Sequence, residues 1–301
     1  MQTRYIIPVL FFFAGLFFTS CEDVIDINTD PAPQLLVVDA WINNLDQPQI
    51  INLSLSQPYF DSANPAGVTG ASVIVENSSG KTLVFEEENN GNYVWTPGNG
   101  ETIGEVGDGF TLSIEWNDVI YEASSQMNRV PEIDSLVQEY REPELGNPEG
   151  IFATFYARDF PGQGDAYWIK TYKNGQFLNK PIEMNLAYDA GFDSGSSIDG
   201  VVFIVPIREL INRFPDEEGE DDFEVPPYMP GDSIRVEIHS ITEAAFNFLS
   251  IAKEQMTNGD NTIFALPLAN TKSNVRNVAT GERALGFFNV AKVSSAGKII
   301  E

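Results

Sequence analysis

Between Phe110 and Ala123 the apolar side chains fall at every second position. Phe110, Leu112, Ile114 and Trp116 alternate with Thr111, Ser113 and Glu115, and after Asn117-Asp118 the pattern resumes at Val119, Tyr121 and Ala123. A period of two sends successive side chains to opposite faces of a strand, whereas a helix would need a period of 3.6. One apolar and one polar face describe an antiparallel sheet with a single buried side. Ile51, Leu53 and Leu55 repeat the pattern, as do Ile234, Val236 and Ile238, which alternate with Arg235, Glu237 and His239. The run Leu35 to Ile42 is apolar apart from Asp39. Shorter strand signals lie at Val73 and Val75, Thr82 to Phe85, Tyr93 to Trp95, Ile151 to Ala157, Tyr167 to Tyr172 and Val201 to Ile207.

Turn chemistry punctuates these runs. Asn89-Asn90-Gly91-Asn92 is a turn-rich segment suited to a hairpin, and Lys173-Asn174-Gly175-Gln176 carries the Asn-Gly pair of a type I′ turn, which needs positive φ at both central residues. One stretch departs from the pattern. Ala245, Phe248, Leu249, Ala252 and Met256 share a helical face, Ser240 and Glu243 have the spacing of a capping box, and Asn258-Gly259 provides a stop. The expected architecture is therefore mainly β. A β-sandwich domain over 34–130 precedes a second antiparallel β domain over 131–301 that carries one helix at about 241–257. Ala284 to Val293 is expected as the strand closing that second domain. Arg129 to Asp134 marks the junction, where Pro131 biases Val130 towards an extended backbone.

The N-terminus has a different character. Arg4 precedes an apolar run from Ile6 to Phe18, and Thr19-Ser20 lead to Cys21, the only cysteine. A short apolar core after a positive start and before small residues describes a secretory signal over residues 1–20. The run is too short to span a hydrocarbon core of about 30 Å. Small residues before a cysteine resemble a lipobox, which implies cleavage before Cys21 and acylation of its thiol. Two or more acyl chains hold a protein stably at a membrane, where one holds it only marginally. Residues 21–33, rich in acids, Asn and Pro, read as the lipidated cysteine and a tether. Beyond Cys21, residues 22–33 would reach roughly 40 Å at about 3.3–3.6 Å per extended residue.

Charge and residue counts exclude several kinds of chemistry. A net charge of -27 leaves no basic surface on the scale that nucleic-acid binding requires, and it opposes adsorption to anionic lipid. His239 is the only histidine, and its place on the polar face of an alternating strand predicts a solvent-facing side chain. Ser-His-Asp or Cys-His catalysis needs a histidine base, and zinc needs several His or Cys ligands, so no catalytic or metal residue is assigned. No Gly-rich phosphate loop is present. A hydrolase built on paired carboxylates stays open, because 44 acids make many pairs. So does structural calcium, at Asp26 to Asp30 or in the acidic run 216–222, since hard oxygen ligands are present at both. Trp41, Trp95 and Trp168 are candidates for stacking on a sugar, while Trp116 falls in phase with the core.

Gly70-Ala71-Ser72-Val73-Ile74-Val75 followed by Gly91-Asn92-Tyr93 resembles the transthyretin-like modules related to carboxypeptidase regulatory domains, within the immunoglobulin-like class of sandwiches. A broader set of landmarks comprises Pro58-Tyr59-Phe60, Val130-Pro131-Glu132-Ile133-Asp134-Ser135, Ala265-Leu266-Pro267 and Ala284-Leu285-Gly286-Phe287-Phe288. With the Gly70-Ala71 strand, these resemble the Bacteroidota lipoprotein family catalogued as domain of unknown function 4249. Glu22, Asp23 and Asp26 resemble the acidic tract that follows the lipid cysteine in surface-exported lipoproteins of Bacteroidota. The resemblance implies an outer-membrane lipoprotein, anchored through Cys21, facing the cell exterior and accompanying a TonB-dependent transporter. It supplies no ligand-binding or catalytic residue. A surface adhesion or glycan-binding module is the alternative; the long loops at 188–200 and 216–222 suit capture, whereas a flat aromatic platform would suit glycan binding.

Overall fold

The computed structural model describes residues 33–58, 63–144, 148–193, 198–213, 225–257 and 269–301. Cys21, most of the tether and the acidic run 216–222 lie outside the described residues. The first strands are β1 (Leu36–Asn43), β2 (Gln49–Leu55), β3 (Ser72–Asn77), β4 (Thr82–Asn89), β5 (Asn92–Trp95), β6 (Gly109–Trp116) and β7 (Val119–Gln126). Then come β8 (Ile133–Arg141), β9 (Gly150–Ala157), β10 (Ala166–Lys173), β11 (Gln176–Phe177) and β12 (Asn185–Tyr188). The remainder comprises α1 (Val205–Glu209), β13 (Ser233–Ile241), α2 (Glu243–Thr257), β14 (Arg276–Asn277), β15 (Leu285–Ala291) and β16 (Val293–Ile299). Strands hold 47% of the described residues and helices 10%, so the chain is mainly β.

Nine strands form one curled sheet in the order β14-β7-β6-β3-β4-β5-β2-β1-β15. Every pairing is antiparallel except β1 with β15. The alternation read from sequence decides its inside. Phe110, Leu112 and Ile114 of β6 join Val38, Ala40, Leu53, Val75, Leu83, Tyr93, Phe288 and Val290 in one buried cluster. The hairpins turn where the Asn-Gly pairs stand: Asn90 and Gly91 have φ of 41° and 88°, Asn174 and Gly175 of 51° and 79°. Asn117 and Asp118, at 51° and 60°, do the same between β6 and β7.

The first sheet takes strands from both ends of the chain. The chain leaves it after Gln126, builds a second sheet, and returns at Arg276. Ala284 to Val293 was expected to close the second domain. Instead β15 lies parallel to β1, with Val38 opposite Gly286 and Ala40 opposite Phe288. Gly286 is required at that contact: its φ is 82°, and an added Cβ would stand 2.0 Å from the Val38 carbonyl oxygen. Residues 34–301 form one compact unit.

The second sheet has the order β11-β10-β13-β16, with β12 also on β10. One face packs against the β8–β9 hairpin and α1, where Phe155, Tyr167, Phe203, Ile207, Tyr228, Val236 and Ile238 are buried. The other face meets α2 and the outside of β1 and β15, through Trp168, Phe246, Leu249, Trp41 and Phe287. Both faces of β13 are therefore covered, which corrects the expectation for His239. It is 5% exposed, and its Nε2 stands 2.9 Å from Glu237 Oε2. Glu237 also accepts from Tyr172 Oη at 3.2 Å and pairs with Arg235.

Two more local expectations fail for identifiable reasons. Val201 to Ile207 is not a strand: Pro206 lies in the first turn of α1, where its missing N–H costs nothing. The cap of α2 is Thr242, whose Oγ1 accepts the Ala245 N–H at 3.2 Å. Ser240 ends up inside β13, its Oγ accepting the Lys292 N–H at 2.9 Å. The helix itself spans Glu243–Thr257, with Ala245, Phe246 and Leu249 buried. Met256, expected on the apolar face, is exposed.

Candidate functional site

The curl of the first sheet brings β7 and β15 side by side without a hydrogen-bond ladder between them. Side chains close the seam. Asn274 Nδ2 donates to Ser124 O at 3.1 Å and to Phe288 O at 2.8 Å, and Asn274 Oδ1 accepts the Phe288 N–H at 2.9 Å. Ser125 Oγ accepts the Val290 N–H at 3.0 Å. Buried strand edges must find such partners, because an unpaired backbone group away from water is costly. Since side chains bridge a wider gap than a ladder does, the seam leaves room above it.

That room is a cleft of about 920 Å³. Its floor is the seam itself, from Ala123, Ser124 and Phe287. One wall is α2, through Asn247, Phe248 and Ile251, and the other is the turn from Arg276 to Arg283. The turn is held firmly. Asn277 Oδ1 accepts the N–H groups of Ala279 at 2.9 Å and Thr280 at 3.1 Å, and Val278 N–H reaches Ile120 O at 2.9 Å. Phe248 lies 5.0 Å from Phe287, centroid to centroid, and gives the cleft an apolar wall. Lys272, Arg276 and Arg283 stand exposed around it. The cleft is mixed: Phe248, Ile251 and Phe287 give it apolar surface, and Glu122, Asn247, Asn274 and three cations line the rest. A concavity of this size in which apolar surface meets convergent polar groups is a form small-molecule sites take.

A second constellation lies in the loops beyond β9 and β12. Carboxylate oxygens of Asp159, Asp189 and Asp199 all fall within 4.8 Å of one another. Asp159 and Asp189 are 1% and 2% exposed. Asp189 Oδ1 accepts the N–H groups of Gly164 at 2.8 Å and Asp165 at 3.0 Å. Asp159 accepts from Tyr167 Oη at 2.7 Å, and Asp199 from the Gly162 N–H at 3.1 Å. The second Asp199 oxygen is buried without a partner. Burial first, with the neighbouring Asp165 and Asp189 charges adding, holds the Asp159 carboxyl above its ordinary value. Arg129, the cation beside this group, is taken by Asp165 at 2.6 Å. Three hard oxygen donors are of the type Ca²⁺ or Mg²⁺ takes, although Ca²⁺ fills six to eight positions.

Sequence reasoning named neither the cleft nor the aspartate group. The cleft joins residues 122–124, 244–251 and 272–287, and no local pattern links them. Only the composition of the loop 188–200 hinted at the second group. The calcium candidates at 26–30 and 216–222 lie outside the described residues. Each tryptophan packs on a core: Trp95 and Trp116 on the first sheet's interior, Trp41 and Trp168 between the sheets, their rings 5.3 Å apart.

The fold and cleft define a mainly β, sandwich-like protein with a concave site over the seam of its larger sheet. Residues 22–296 match the model of the family described as Domain of unknown function (DUF4249), and the chain belongs to that family. No curated protein matches the sequence.

Proposed function

We propose that this protein is a lipid-anchored capture protein of the outer membrane. It would bind a small molecule in the cleft between α2 and the turn at 276–283 and serve a TonB-dependent transporter. The cleft carries this reading: apolar surface from Phe248 and Phe287, polar groups on the floor and opposite wall, and a volume of about 920 Å³ suit binding. Cys21 and the tether that follows it support the anchor, because a lipid confines the body to a surface and raises its effective concentration near membrane partners. Among the described residues no helix is long and apolar enough to cross a membrane.

The partner is tested by cross-linking in intact cells followed by mass spectrometry. Recovery of a TonB-dependent transporter, and reduced uptake through it when the chain is deleted, is the expected result. Failure of both would turn the reading towards a surface adhesion or glycan-binding module.

A further inference from the structure

The cleft's basic residues are out of proportion to the chain. The protein has 44 acids against 17 Lys and Arg, yet Lys272, Arg276 and Arg283 gather around this one concavity. None of the three makes an ion pair or a side-chain hydrogen bond with a described residue. Part-buried cations elsewhere are engaged: Arg141 pairs with Glu209 at 3.0 Å, Lys173 with Asp232 at 3.0 Å and Lys81 with Glu101 at 3.0 Å, while Lys292 and Lys298, like the three at the cleft, make no ion pair with a described residue.

The placement of the two arginines is a separate observation. Arg276 and Arg283 stand directly opposite each other across an antiparallel bridge. Directly opposed residues have Cα atoms roughly 4.5–5.5 Å apart. Like charges on directly opposite residues repel and destabilise a sheet. Glu122 lies opposite Arg276 in the β14–β7 register and also lines the cleft, but it forms no ion pair with either arginine. The bridge is thus held together by backbone and by the Asn277 turn, against the charges of its own side chains.

We infer that Arg276 and Arg283 together hold the oxyanion head of the captured molecule, with Lys272 adding charge at the rim and Phe248, Ile251 and Phe287 covering its apolar body. Two forked guanidiniums carried by directly opposed residues can converge on the several acceptors of one carboxylate, phosphate or sulfate. An anion between them would turn the repulsion of the empty bridge into attraction. The ligand class is then a small amphiphilic anion. The acidity of the rest of the surface would repel such a molecule everywhere except at this cleft, which makes the site selective in position as well as in chemistry. The inference rests on the capture reading and adds the chemistry of the head group.

Saturation-transfer NMR on the full-length chain in phosphatidylcholine nanodiscs, with empty nanodiscs subtracted, tests it using 2-naphthoate and its neutral isostere 2-naphthamide. Three proteins are compared: wild type, the double variant Arg276→Gln with Arg283→Gln, and Asn247→Trp, which fills the cleft from the exposed face of α2 and keeps every charge. Wild type should prefer the naphthoate by at least about tenfold, as expected for charge-assisted hydrogen bonds. The double variant should lose that preference and keep the naphthamide. Asn247→Trp should lose both. Equal affinity of wild type for the two probes, or a preference unchanged in the double variant, overturns the anion inference and leaves the cleft as a binding site. No binding of either probe by wild type, or binding untouched by Asn247→Trp, overturns the capture reading itself. A thermal scan guards against misfolding: relief of the opposed charges predicts that Arg283→Gln melts no lower than wild type.

Discussion

Asn274 and Phe288 are joined by two hydrogen bonds, side-chain amide to backbone carbonyl at 2.8 Å and backbone amide to side-chain carbonyl at 2.9 Å. One asparagine thus acts as a missing rung between strands that do not pair. Asn274→Ala leaves the Phe288 N–H and C=O without these partners at the floor of the cleft. A loss of roughly 1–3 kcal/mol in stability is expected, since an orphaned buried group costs about that much. Urea unfolding measures it. Asn274→Asp, which turns a carboxylate oxygen on the Ser124 and Phe288 carbonyls, should cost at least as much at neutral pH.

Gly286 gives a sharper prediction. Gly286→Ala must place a methyl group 2.0 Å from the Val38 carbonyl oxygen at a φ of 82°. The left-handed backbone alone costs roughly 1–2 kcal/mol for a residue with a Cβ, and the clash adds to it. The variant should unfold at least several degrees below wild type by differential scanning calorimetry. Gly281→Ala, at a φ of 74° but with open space around it, should pay only the backbone cost.

His239 supplies a pH dependence. Burial, the largest cause, lowers its pKa to about 4, while the hydrogen bond to Glu237 pulls the other way. The folded state therefore keeps the imidazole neutral where the unfolded chain, with an ordinary value near 6.5, takes up a proton. Stability rises with pH wherever the unfolded state binds more protons. This contribution is full above about pH 6.5 and is lost progressively as the pH falls towards 4. The melting temperature should drop between pH 7 and pH 5, a window above the ordinary range of carboxylates. His239→Gln should flatten that slope. An unchanged slope would show that the imidazole is already protonated in the fold.

These predictions rest on features with very different visibility in the sequence. The strands β6 and β7 and the turns at Asn90-Gly91 and Asn174-Gly175 were legible because side-chain alternation and positive φ are properties of a few consecutive residues. The helix Glu243–Thr257 was legible too, by its apolar spacing, though the cap was read two residues early. Thr242 won over Ser240 because β13 holds Ser240 in its ladder. His239 was misread since alternation tells which residues share a face, not whether another sheet covers it. Trp41 and Phe287, on strands from opposite ends of the chain, helped to build the layer that covers that face. The return of β15 to β1 has no local signal at all, and the cleft, built on that return, was invisible for the same reason.

Cys21 lies outside the described residues, and its modification is a prediction from the signal and the small residues before it. Cys21→Ala should abolish incorporation of labelled palmitate and arrest processing of the precursor on a gel. Equal labelling of wild type and variant would remove the anchor from the account.

The aspartate group makes a prediction independent of the cleft. Asp199 has a buried oxygen without a partner, within reach of two buried carboxylates. With divalent cations chelated by EDTA, Asp199→Asn should melt higher than wild type, because it removes one of three crowded negative charges. A lower melting temperature under chelation would mean that the carboxylate is held by contacts stronger than that repulsion.

The claim that the protein acts by binding in its cleft is tested most directly by native mass spectrometry of the chain extracted from its own membrane. Wild type should carry a non-covalent small-molecule mass that leaves on mild collisional activation, and Asn247→Trp should carry none. Identical spectra for the two proteins would contradict the account.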